Sequence, residues 1–113
     1  MNTYYTGLFS EWRARIFLRF HGYRILKTRY VTGKYTARAE IDIIAKRGNT
    51  IVFIEVKQRP DLQTAWAAIT PKQIQRLRNA ANTYLVKTHW TGNARFDVIA
   101  VCGWKIYWAK NAI

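Results

Sequence analysis

The stretch from Glu40 to Lys57, reading EIDIIAKRGNTIVFIEVK, limits the fold more than any other part of the chain. Two runs rich in β-branched residues flank Arg47-Gly48-Asn49-Thr50, where Gly and Asn supply the positive φ angles that a tight reversal needs, so the stretch reads as a β-hairpin. Side chains alternate along a strand. Glu40, Asp42 and Ile44 therefore share one face of the first arm, and Ile51, Phe53, Glu55 and Lys57 share one face of the second. Antiparallel pairing about residues 48 and 49 sets Asp42 roughly opposite Glu55.

Such a convergence of two carboxylates and an ammonium is costly, because like charges across a ladder repel and carboxylates in an apolar sheet lose hydration. A hard divalent cation, Mg²⁺ or Mn²⁺, compensates by taking oxygen ligands from one or two carboxylates, water and substrate phosphate. Lys57 then orients the attacking water or balances charge building on the phosphate. The plainer reading is a solvated edge strand whose charges deter aggregation. Against it stands the distribution of charge: of six acidic residues, Glu40, Asp42 and Glu55 all fall in this hairpin, in a chain of net charge +13.

Asp42, twelve intervening residues and then Glu55-Val56-Lys57 resemble the D…(D/E)xK signature of the restriction-endonuclease-like nuclease superfamily. The wider pattern is more specific. Gly22 to Leu26, Glu40 to Ala45, Val52 to Lys57, Thr70-Pro71-Lys72 and Arg95 to Val101 together resemble the YraN-like family of small bacterial proteins, which is similar to archaeal Holliday junction resolvases. The resemblance implies an α/β fold, a restriction-endonuclease-like αβββαβ core with a mixed sheet flanked by helices. It also implies that Asp42 and Glu55 are metal ligands, that the Val56 carbonyl is a third, that Lys57 is catalytic and that Glu11 matches the first helix's glutamate. Ala39 and Ser10 stand where the family usually has glycine.

A length of 113 residues suits one compact domain spanning 1–113. Nineteen Lys and Arg against six Asp and Glu imply a polyanionic partner, of which nucleic acid is the commonest inside cells. No run approaches a transmembrane length and no secretory leader is visible, so a cytoplasmic protein without a membrane partner is expected. One cysteine excludes an intramolecular disulfide, and Cys102 reads as a core residue. No Gly-rich phosphate loop suggests a small-molecule cofactor.

Along the chain, residues 5 to 21 read as a helix whose buried stripe is Phe9, Trp12, Ile16 and Phe20, stopped by Gly22. Glu11 lies beside that stripe, able to face the sheet or to pair with Arg15 at the surface. Residues 23 to 30 read as a strand, and 31 to 39 as a loop in which Lys34 and Arg38 could grip phosphate. Gln58 and Arg59 extend the site, and residues 62 to 68 read as a loop. Thr70-Pro71-Lys72-Gln73 opens a helix running to about Lys87, with Thr70 as N-cap and Gln73 closing a capping box or bordering the site. Its stripe of Ile74, Leu77, Ala81, Tyr84 and Leu85 is expected inside. Lys72, Gln75, Arg76, Arg78 and Asn79 form an outer surface suited to nucleic-acid backbone.

A strand from 95 to 101 should pair in parallel with the hairpin's second arm through a right-handed crossover. Trp104 to Ala109 reads as a last strand, with Trp104, Ile106 and Trp108 on one face. Asp97 either pairs internally with an arginine or lines the site, and His21 and His89 sit at helix ends. The expected function is a metal-dependent endonuclease acting on branched or structured DNA in repair or recombination, with a homodimer suggested by analogy to resolvases. The alternative is a nucleic-acid-binding module that keeps the fold without catalysis.

Overall fold

A computed structural model describes residues 3–33 and 38–113, with side chains from residue 6 onward. Lys34, one of the expected phosphate-gripping residues, lies outside the described residues. The elements run α1 (Thr3–Phe20), β1 (Arg24–Thr32), β2 (Ala39–Arg47), β3 (Thr50–Gln58), α2 (Leu62–Ala67), α3 (Pro71–Lys87), β4 (Asn93–Cys102) and β5 (Lys105–Ala109). The five strands form one mixed sheet in chain order. Three strand contacts are antiparallel, while β3 and β4 pair in parallel across the α2–α3 crossover, as the spacing predicts. The expected αβββαβ core and its final strand are present, with one additional short helix, α2.

The hairpin register sets Arg47 against Thr50 and Ile43 against Ile54. Its turn uses a positive φ at Gly48 alone, +59°, and Asn49 stays in the ordinary region, contrary to the expectation that both supply it. That single left-handed residue at the first turn position matches a type II′ reversal. Apolar side chains on opposite faces of the sheet build two clusters. One joins Ala14 and Leu18 of α1 to Ile43, Val52, Ile54, Ile99 and Val101; the other joins Leu77, Ala80, Ala81 and Tyr84 of α3 to Ile44, Ile51 and Phe53. Ile41 and Ile43 belong to opposite clusters, so strict alternation slips at Asp42 between them.

Two expectations fail for clear reasons. On α1 the stripe is inverted: Ser10, Ala14 and Leu18 are buried, while Phe9, Trp12 and Phe20 are exposed. Small residues at Ser10 and Ala14 let the helix approach the sheet closely, which three large aromatics would prevent. Residues 62–67 form a helix rather than a loop, because Asp61 caps it, its Oδ1 accepting from the Thr64 N–H at 2.8 Å. Thr70 caps α3 as expected, accepting from the Gln73 N–H, but the Gln73 side chain does not close a box. Trp104 falls in the β4–β5 turn, 95% exposed, and not on the strand. Cys102 is half-buried.

Asp97 is wholly buried and structural. Its carboxylate accepts from Arg95 Nε and Nη2, from Trp108 Nε1 and from the Asn111 N–H, all at 2.8 Å. That set of four donors compensates the lost hydration and ties the chain's end to β4.

Candidate active site

The hairpin ladder ends at Ile43 and Ile54, and the next residues on each arm are Asp42 and Glu55. Where the ladder stops, the Asp42 carboxylate replaces it, its Oδ2 accepting from the Val56 N–H at 2.8 Å. Glu55 is 6% exposed and hydrogen-bonds with the Asp42 carboxyl. Lys57 reaches back along the same strand face, its Nζ 3.2 Å from Glu55 Oε1. The predicted convergence of Asp42, Glu55 and Lys57 is therefore what the fold produces.

Electrostatics record the cost. Burial, then the neighbouring Glu55 charge, push the Asp42 carboxyl up to about 8, against the one favourable bond from Val56. Burial also raises Glu55, which Lys57 partly offsets. Near neutral pH the pair retains a proton, an arrangement that a cation would displace.

The surrounding elements close a cleft of about 540 Å³ over these groups. Arg38, Lys72 and Arg76 line it together with Glu40, Asp42, Glu55, Lys57 and Gln73. Of the two roles open to Gln73, the structure gives it the place beside the site: its Nε2 donates to Glu55 Oε1 at 3.2 Å. The N-terminus of α3 arrives beside the end of β3 because the crossover must return to the sheet there, and Gln73 then faces the carboxylate. Glu40 is paired with Arg38 at 3.8 Å.

Glu11 approaches from α1 on the other side of Lys57, where a smaller hollow of about 160 Å³ also holds Ser10, Val56, Gln58 and Arg59. Lys57 borders both spaces. Of the basic residues expected at nucleic acid, Arg59 thus belongs to a separate hollow from Arg38, Lys72 and Arg76, and its Nη1 donates to the Gln58 carbonyl. Glu11 does not pair with Arg15. Its carboxylate accepts from Arg29 Nε at 3.2 Å, and the field of Glu11 reaches Asp42. Arg29 is a site residue that sequence reasoning missed. It stands in β1 with φ +51°, a left-handed conformation uncommon for a non-glycine residue, and no local motif foretells it. Among the described residues, no three His, Cys, Asp or Glu side chains gather in a ligating cluster.

The segment from residue 10 to residue 101, which carries Glu11, Asp42, Glu55, Lys57 and Gln73, matches the model of the uncharacterised protein family UPF0102. The chain belongs to UPF0102. This is the YraN-like group that the sequence motifs resemble. Among UPF0102 relatives, a protein of Bradyrhizobium diazoefficiens is 43% identical over 98 residues, covering 85% of this chain and 71% of its own length. Another, from Rhodopseudomonas palustris, is 45% identical over 98 residues, covering 85% and 72%. A UPF0102 protein of Paramagnetospirillum magneticum is 34% identical over 102 residues, covering 88% and 79%. No helix of the described residues is long and apolar enough to cross a membrane.

Proposed function

We propose that this UPF0102 member is a metal-dependent endonuclease of the restriction-endonuclease-like superfamily that hydrolyses phosphodiester bonds in branched or structured DNA. The observation that carries the reading is the Asp42–Glu55–Lys57 constellation, with Glu55 buried and Asp42 and Lys57 half-buried, lining a cleft that Arg38, Lys72 and Arg76 also line. A surface salt bridge needs neither burial nor a raised Asp42, and perturbed carboxylates in a cleft are a mark of chemistry.

The residues fit a hard cation. Two carboxylates lining one cleft, Glu55 buried and Asp42 half-buried, held near each other against their own repulsion, form the donor chemistry that Mg²⁺ or Mn²⁺ takes, with the Val56 carbonyl as a further oxygen. Glu11 would join them on release from Arg29. When bound, the ion supplies Lewis-acid activation of the phosphate. The chain's own groups do the rest. Lys57, oriented by Glu55, donates to the attacking water or to a non-bridging oxygen and balances charge developing there. Gln73 holds Glu55 in place through its amide. Arg38, Lys72 and Arg76 grip flanking phosphates, which positions a strand without reading its sequence.

Cleavage of labelled four-way junction, flap, single-stranded and linear duplex DNA, in Mg²⁺, Mn²⁺ or EDTA, tests the reading. The expected result is metal-dependent cutting that falls about 10²- to 10³-fold in Lys57→Ala and is lost in Asp42→Asn, with DNA binding retained in both. One observation favours a second reading, a binding module without catalysis: Glu11 is engaged by Arg29 rather than joined to the carboxylate pair. Salt-sensitive binding with no cutting in any metal would select that reading.

A further inference from the structure

The inverted face of α1 leaves the largest unexplained feature of the molecule. Phe9 and Trp12 are each about half exposed, 54% and 50%, and their rings stack at 5.9 Å. Phe20 is 86% exposed, one helical repeat beyond Ile16. Exposed large apolar residues scattered singly need no explanation, but a continuous stripe marks an interaction surface. Here the stripe borders two hollows. One, of about 270 Å³, lies between Trp12, Ile16 and Phe20 of the helix and Ile106 of β5; the other, of about 280 Å³, lies beside Ile16, Arg19 and Phe20. The ridge is held in place rather than loosely hung. Arg13 donates from Nη1 to the Gly103 carbonyl at 2.6 Å and from Nη2 to the Trp104 carbonyl at 3.2 Å, pinning α1 to the β4–β5 turn.

Charge decides what can cover it. All six acids of the chain are committed elsewhere: Glu11 to Arg29, Glu40 to Arg38, Asp42 and Glu55 to the cleft, Asp61 to the α2 cap and Asp97 to Arg95. Among the described residues, the charged side chains that border the two apolar hollows are both cations, Arg13 and Arg19. A second copy laid on the same face across a two-fold axis would bring arginine against arginine with no carboxylate between them, in a chain already at +13. We infer that the outer face of α1 docks an acidic amphipathic helix of a different protein, whose apolar residues at i, i+3 or i+4 and i+7 enter the two hollows while its carboxylates meet Arg13 and Arg19. The rigid aromatic and arginine composition is that of an interface hot spot. No described residue of α1 lines the cleft, so this docking does not rest on the nuclease reading.

The test uses the full chain, free of nucleic acid, and two labelled synthetic helical peptides with the same leucine stripe, one flanked by glutamates and one by lysines. Fluorescence anisotropy should show the glutamate peptide binding, salt-sensitively, and the lysine peptide not binding. Trp12→Ala/Phe20→Ala should weaken the glutamate peptide at least tenfold while its melting temperature and its DNA affinity stay those of the wild type. A gentler variant, Phe20→Ser, at a position already exposed, guards against misfolding and should weaken it in the same direction. Equal binding of both peptides, no binding of either, or binding indifferent to these substitutions overturns the inference. Sedimentation of the free chain as a dimer that Phe20→Ser dissociates overturns it in favour of a second copy. Flotation with phosphatidylglycerol vesicles that the same substitution abolishes overturns it in favour of a lipid surface.

Discussion

Replacing Asp42 by asparagine should make the metal-free protein more stable, not less. In the unfolded chain the carboxyl ionises in its ordinary range, whereas in the fold burial and Glu55 push it up to about 8. Between those values the folded state holds a proton that the unfolded state has released, so stability falls as pH rises, by about 1.4 kcal/mol per pH unit. From the ordinary value of 3.8 to pH 7 this amounts to roughly 4 kcal/mol for Asp42 alone. Asparagine keeps an oxygen to accept from the Val56 N–H but loses part of the carboxyl's contact with Glu55, which brings the expected gain to about 2–4 kcal/mol. For a chain of this size about 4 °C accompanies each kcal/mol, so the melting temperature should rise by roughly 8–16 °C at pH 7 in EDTA. At pH 5 the gap between variant and wild type should shrink to under about 2 kcal/mol, since the penalty has then accumulated over only about one pH unit above the unfolded carboxyl's 3.8. Thermal melts followed by circular dichroism at pH 5, 7 and 8 read this directly. A variant no more stable than wild type at pH 7, or a gap that does not change with pH, would refute a strained carboxylate pair at this site. Adding Mn²⁺ should raise the wild-type melting temperature and leave that of Asp42→Asn nearly unmoved.

Other consequences follow from the same geometry. Arg76→Ala should weaken duplex DNA binding across sequences and flatten the log–log salt dependence of affinity by about 0.9, which titrations at several salt concentrations would show. Gln73→Ala removes the amide that steadies Glu55; cleavage should drop about tenfold with the melting temperature changed little, because Gln73 sits at the cleft rim. Asp97→Ala strands Arg95 and leaves the Trp108 and Asn111 donors without their acceptor, so chemical denaturation should show a loss of about 3–5 kcal/mol.

What local sequence determined about this protein is the hairpin and the groups it carries. Period-two alternation on either side of Arg47-Gly48-Asn49-Thr50 sets the register up to Ile43 and Ile54, which leaves Asp42 and Glu55 as the next residue on each arm; the slip at Asp42 and its bond to the Val56 N–H were not legible there. Thr70 and Pro71 likewise mark the start of α3 because capping is a contest among neighbours a few residues apart. The parallel partner of β3 was legible too, since a strand, a helix and a strand in one sheet admit essentially one handedness. Asp61 carried an equally local capping signal for α2, which the absence of a long apolar period concealed.

Tertiary structure alone decided three other matters. It chose which side of α1 faces the sheet, and there the fit of Ser10 and Ala14 against the strands outweighed the greater hydrophobicity of Phe9, Trp12 and Phe20. It joined Arg29 to Glu11, eighteen residues away, and Gln73 to Glu55, also eighteen residues away, through a strand twist and a crossover. It also sorted the basic residues, sending Arg38, Lys72 and Arg76 to one side of Lys57 and Arg59 to the other. Hydrophobic periodicity reports that a helix has an apolar side, but close packing rewards shape, and shape is a property of two surfaces that the chain brings together only once it has folded.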